Sequence, residues 1–261
     1  MKRLGPTTVG LAIAFLVDLL LHIFQPLGDD FSLVSNIITM FFSLLAVIFG
    51  AASCKLHGLS NIRGRIMIFL TAGIFFWFLG ELSWSLYKIV LGVEAPVASI
   101  ADVFWIAGYP LFILGILLVW NSTKIKRDYK RLIFNLMLSA IILVFFFYLS
   151  LPTLTAVDMP AVEKATTAGY IIGDAFLLIA LITTMIHISG KELFKLWVTI
   201  LAALLLIAVA DVLYTLILSS YLSGHIIDVL WDLGYLILAV GFFNYNVKYR
   251  KLLEIAFKSP H

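Results

Sequence analysis

Charged residues are scarce in this chain and thiols scarcer still: Asp, Glu, Lys and Arg make up 13% of 261 residues, and cysteine occurs once. Soluble domains carry about 25% charged residues, so water is not the solvent for most of this surface. A single cysteine, Cys54, excludes an internal disulfide and a cysteine-rich metal site, and near a predicted helix end it reads as a small core residue. There is no His-Glu-x-x-His, no Gly-x-Ser-x-Gly and no cluster of histidines. His22, His57, His187 and His225 are scattered, and the expectation is that they cap helix C-termini. Neither a metal nor a cofactor is therefore expected. The net charge of +3 does not imply nucleic acid, because the basic residues sit in short loops between apolar runs.

What is present is grease: 62% hydrophobic residues and a mean hydropathy of +1.08. A bilayer core takes roughly 20 apolar residues per helix. Eight runs meet that length, at 8–24, 34–56, 66–92, 97–120, 130–150, 163–187, 194–220 and 225–247. The first follows Lys2 and Arg3 like a signal peptide, but no small-residue cleavage site follows it, so it is expected to be retained. With eight spans, sixteen of the eighteen Lys and Arg residues share one side, and Lys88 and Lys164 alone face the other. Positive loops stay cytoplasmic, which predicts a multi-pass cell-membrane protein with both termini inside. The Asn121-Ser122-Thr123 sequon then falls on the cytoplasmic side and reads as chance.

The chain repeats itself. Asp102-x-x-Trp105-x-x-Gly108-Tyr109 with Gly115 recurs as Asp228-x-x-Trp231-x-x-Gly234-Tyr235 with Gly241, at a constant offset of 126 residues. Upstream the offset is 130, pairing His57 with His187, Gly80-Glu81 with Ala210-Asp211, and Trp84 with Tyr214. The expected fold class is an all-α membrane protein, with four-helix repeats at 1–129 and 130–250 and a short cytoplasmic tail at 251–261. Four spans per repeat give both halves the same orientation, so the pseudo-twofold axis should lie along the membrane normal.

Seven carboxylates fall inside predicted spans: Asp18, Glu81, Asp102, Asp174, Asp211, Asp228 and Asp232. Each costs roughly 2.5–3.5 kcal/mol at mid-membrane if left uncompensated, so they should face the protein interior. All but Asp174 are expected in the outer half of their helices. Asp102, Trp105 and Tyr109 share one helix face, as do Asp228, Trp231 and Tyr235. Glu81 with Trp84, and Asp211 with Tyr214, form similar stripes. Two readings remain open. Trp and Tyr can donate hydrogen bonds to the acids and clamp helix ends together. Alternatively, all ten residues wall one outward-open pocket for a cation, an amine or a polar headgroup, using charge and cation–π attraction.

Gly80-Glu81-Leu82-Ser83-Trp84, then Pro96-Val97-Ala98-Ser99-Ile100-Ala101-Asp102 and Gly108-Tyr109-Pro110-Leu111, resemble a multi-span membrane domain found ahead of bacterial diguanylate cyclase and phosphodiesterase modules. The second half is similar at Ala210-Asp211-Val212-Leu213-Tyr214 and at 228–235. The pattern departs from that family at the inserted Ala98 and in the missing proline of the second copy. The resemblance implies a sensory input domain. Only roughly a dozen residues follow the last predicted span, so the expected partners are the lipid bilayer, a small cationic or amphipathic ligand, and a separate signalling protein.

Two other functions compete. Gly173-Asp174-Ala175-Phe176-Leu177-Leu178 is similar to a Gly-Asp motif of eight-span lysoplasmalogenases, which would imply an intramembrane lipid hydrolase using paired carboxylates as acid and base. Duplicated bundles with intramembrane acids also suit a proton- or cation-coupled transporter.

Overall fold

The computed structural model describes residues 6–96, 98–122, 129–188, 194–217 and 220–258. Thr123 of the sequon, Lys2 and Arg3, the loop cations Lys124, Lys126, Arg127 and Lys191, and the side chain of His187 lie outside the described residues.

Among the described residues the regular structure is entirely helical. The α-helices are α1 (Pro6–Phe24), α2 (Phe31–His57), α3 (Ile62–Leu86), α4 (Ile100–Ser122), α5 (Tyr129–Thr155), α6 (Ala161–Ile188), α7 (Phe194–Ile217) and α8 (Asp228–Lys258). The first seven are long and apolar enough to cross a membrane, α3 together with the π-helical turn Tyr87–Leu91 that continues it. Helix α8 falls outside that set because Asp228, Asp232, Asn244 and Asn246 dilute its apolar run. It is also longer than its sequence predicts, continuing through Lys248, Arg250 and Lys251 to Lys258. Lys and Arg are good helix formers, so the basic segment carries the helix on where hydropathy alone marks its end. Large apolar side chains stay exposed along α1 and α5, among them Leu16, Leu20, Phe134, Met137 and Phe147. Such faces belong against lipid.

Local chemistry fixes the helix ends near the site. Asn61 caps α3 by accepting a hydrogen bond from Arg63 N at 3.0 Å. The π-helical turn stops at Gly92, whose left-handed φ of 68° lets its N–H reach the carbonyls of Lys88 and Tyr87. Ser99 and Asp102 form a capping box at the start of α4: Ser99 Oγ accepts from Ala101 N, and Asp102 Oδ2 accepts from Ser99 N at 2.6 Å.

Six helices pack into a closed ring in the order α2, α3, α4, α6, α7, α8 and back to α2. The ring interlocks the two halves of the chain, because α4 meets α6 and α8 meets α2. Helices α1 and α5 stand outside it and are placed differently: α1 packs on α8, whereas α5 packs on α6 and α7. Inside the ring, the core runs through Leu70, Ile74, Trp77, Phe112, Trp197, Ile200, Ala239 and Phe242. Two glycines let the indoles into this core. A Cβ on Gly80 would collide with the ring of Trp105, and one on Gly108 would stand 2.5 Å from that of Trp77.

Candidate functional site: an acid and aromatic cavity

At one end of the ring, the last turns of α3 and α7 meet the first turns of α4 and α8 around a cavity of about 110 Å³. All ten residues singled out from the sequence line it: Glu81 and Trp84 from α3, Asp102, Trp105 and Tyr109 from α4, Asp211 and Tyr214 from α7, and Asp228, Trp231 and Tyr235 from α8. A single water needs about 10–15 Å³ on this measure, so the space suits several waters or one small organic group. None of the lining side chains is a lysine or an arginine.

Each acid is latched as well as gathered. Glu81 Oε1 accepts hydrogen bonds from Tyr235 OH at 2.6 Å and Trp105 Nε1 at 3.1 Å. Asp211 Oδ1 accepts from Trp231 Nε1 at 2.8 Å. Trp105 and Trp231 hold the same relation to Glu81 and Asp211, and each pair joins consecutive helices. Asp102 accepts from Tyr170 OH at 2.7 Å as well as from Ser99. Asp228 takes three donors: Tyr221 OH at 2.9 Å, Gly224 N at 2.7 Å and Ser35 Oγ at 3.1 Å. Clamp and cavity thus coexist, and the clamps orient aromatic faces and edges around a shared void. Trp84 and Trp105 lie 5.7 Å apart on one side, and Tyr214 packs against Tyr221 and Trp231 at 4.8 and 6.0 Å on the other.

The loop between α7 and α8 closes one wall. Ser223 Oγ accepts from Trp84 Nε1 at 3.2 Å and donates to Glu94 Oε2 at 2.7 Å, and Glu94 also pairs with Lys88 at 2.9 Å. Gln25 Nε2 donates to Gly224 O at 2.9 Å. In this loop, burial and the neighbouring Asp228 carboxylate hold the Tyr221 phenol well above its usual range, so it remains a donor at any physiological pH.

The other predicted intramembrane acids lie off the cavity. Tyr109 OH donates to Asp174 Oδ1 at 2.7 Å, so a cavity tyrosine connects Asp174 to the site. Asp18 and Asp232 are buried with His22 between α1, α2 and α8. His57 differs from its expected role: its Nε2 meets Tyr245 OH at 2.6 Å, so it ties α2 to α8 rather than capping a carbonyl.

Asn36, Thr39, Thr166, Tyr170, Thr215 and Tyr221 line the cavity without having been marked by the sequence. Tyr170 and Tyr221 bear on its chemistry most, since each donates to an acid. Comparison with protein-family models, curated proteins and solved structures finds no match to this chain.

Proposed function

We propose that this chain is a ligand-binding membrane protein of the sensor type, whose acid and aromatic cavity takes a small cation, an amine or a polar headgroup. The single observation that carries the reading is that Glu81, Asp102, Asp211 and Asp228 converge on one void with aromatic walls and no basic side chain. A cation entering it meets carboxylates already oriented by Trp and Tyr donors, and ring faces that are worth about 2 kcal/mol each when desolvated.

The proposal extends to architecture. Helix α8 is the eighth span despite its lower hydropathy, and the two halves are tandem four-helix repeats about an axis along the membrane normal. The matched Trp105–Glu81 and Trp231–Asp211 bonds and the order of the ring, α2–α3–α4 followed by α6–α7–α8, support this. In the cell membrane, both termini are cytoplasmic and the cavity opens outward, as the distribution of Lys and Arg favours. Binding would then be relayed to a separate signalling protein, in keeping with the resemblance to bacterial sensory input domains.

Thermal unfolding in detergent tests the reading against tetramethylammonium, choline, spermidine, alkali cations and phosphatidylethanolamine. A ligand at 100 times its Kd stabilises by about 2.7 kcal/mol. At least one member should raise the Tm, and Glu81→Gln or Asp211→Asn should erase the rise. No shift with any of them refutes the proposal. The Tyr109–Asp174 bond favours one second reading, proton-coupled transport, because it joins a cavity tyrosine to a buried intramembrane acid. Flux in proteoliposomes driven by a pH gradient and lost in Asp174→Asn would establish it. Lipid hydrolysis lost in the same variant would instead establish the hydrolase.

A further inference from the structure

Beside the cavity lies a second constellation that the ligand-binding reading does not use. Asp18 and His22 stand one turn apart on α1 and face Asp232 of α8, with donor atoms all within 4.8 Å of one another. All three are buried, with exposures of 2%, 3% and 0%. Neither oxygen of Asp18 nor either oxygen of Asp232 accepts a hydrogen bond, although all four are out of reach of solvent. Thr39 adjoins Asp232, but its hydroxyl proton goes to Ser35 O at 3.2 Å. Apart from the 3.0 Å contact of Asp18 Oδ1 with His22 Nδ1, these carboxylate oxygens are orphaned, and each buried unsatisfied acceptor costs about 1–3 kcal/mol and more when charged.

The proton on His22 can be located from its neighbours. Ser35 has one hydroxyl proton and gives it to Asp228 Oδ2. The 3.0 Å contact between Ser35 Oγ and His22 Nε2 therefore needs its proton on Nε2. In the neutral ring this leaves Nδ1 a bare lone pair aimed at two oxygens of Asp18, the backbone carbonyl at 3.1 Å and Oδ1 at 3.0 Å. Such an arrangement repels itself unless a cation lies between. A proton on Nδ1 would satisfy the Asp18 side and leave Asp232 without a partner. A divalent ion reaches all three side chains and is neutralised by the two carboxylates.

We propose that Asp18, His22 and Asp232 form a buried site for one divalent transition-metal ion of the zinc class, bound through His22 Nδ1 and the two carboxylates. Nitrogen and oxygen donors without thiolate suit Zn²⁺, Mn²⁺ or Co²⁺. Bonds of about 2.0–2.2 Å need only small side-chain adjustments from the separations observed. The chain from His22 Nε2 through Ser35 to Asp228 is the outer hydrogen bonding that fixes a ligating imidazole. It also ties the ion to an acid that lines the cavity, so Ser35 is a positioning residue between the two.

The test uses the full chain in detergent, stripped with chelator and equilibrated with Zn²⁺ or Co²⁺. The expected result is one equivalent of metal per chain by elemental analysis, a Co²⁺ visible spectrum typical of low coordination number, and a Tm raised by roughly 5–10 °C near 100 times the Kd. His22→Gln and Asp232→Asn should abolish all three, Ser35→Ala should weaken binding roughly 10- to 100-fold, and Glu81→Gln should leave it intact. Glu81→Gln thereby separates this site from the cavity. Wild-type chain that takes up no metal overturns the proposal, as does metal retained in both His22→Gln and Asp232→Asn. Should those variants fail to fold, the Co²⁺ spectrum of the wild-type chain decides alone: a spectrum identical to Co²⁺ in buffer also overturns it.

Discussion

Replacing Tyr235 by phenylalanine removes the hydroxyl that donates to Glu81 at 2.6 Å, the shorter of the two donations Glu81 receives. The ring stays, so its contacts with Trp77 at 6.4 Å and with the core are preserved. A hydrogen bond to a charged group contributes about 1.5–3 kcal/mol in soluble proteins. Between membrane helices the average is about 0.6 and the maximum about 1.7 kcal/mol. Glu81 keeps only the longer donation from Trp105, so the variant should lose about 1.5 kcal/mol. In a Glu81→Gln background, a neutral acceptor replaces the carboxylate, and the same change should cost only about 0.5 kcal/mol. The difference, about 1 kcal/mol, is the coupling between the two side chains. Unfolding in mixed micelles of increasing SDS fraction, followed by tryptophan fluorescence, measures all four corners of this cycle. Losses below about 0.3 kcal/mol in both backgrounds would refute the claim that Tyr235 holds the Glu81 carboxylate in place.

Gly80→Ala should cost about 1–3 kcal/mol by overpacking, because the new methyl must displace the Trp105 indole; the matching change in tryptophan emission reports the broken bond to Glu81. Ser99→Ala removes both the cap on α4 and a donor to Asp102, and should cost about 1 kcal/mol, with faster amide exchange confined to the first turn of α4. With Cys54 replaced by alanine, a cysteine at exposed Asp158 should react with an impermeant maleimide on intact cells, and one at exposed Lys130 only after permeabilisation. The reverse pattern would invert the proposed topology.

The helices were legible because lipid imposes a simple rule, a long apolar run, and α1 through α7 obey it. Helix α8 was found from its apolar centre, while its extension past Lys248 was hidden because a basic amphipathic segment carries no hydropathy signal. The ten cavity residues could be picked because two of the four stripes repeat Asp-x-x-Trp-x-x-Gly-Tyr and the other two match at a fixed offset. Tyr170 and Tyr221 were missed, since one tyrosine on a greasy helix or in a short loop looks like any other until the ring closes around it. Ser99 and Asp102 spell a capping box in the sequence, but a predicted helix start at 97 placed Asp102 inside the helix and masked that role. The four-residue spacing of Asp18 and His22 was equally visible. Its meaning depended on Asp232, more than 200 residues away, and only tertiary packing of α1 on α8 brings the three together.

The account rests on the acids of α3, α4, α7 and α8 sharing one void that holds a cationic group. A crystallographic or cryo-EM map of the chain, prepared with the ligand that raises its Tm most, tests this most directly. It should contain density between Trp105, Tyr109, Trp231 and Tyr235 in contact with the carboxylates of Glu81 or Asp211. A map in which side chains fill that space, leaving each acid latched to its own neighbour with nothing between, would contradict it.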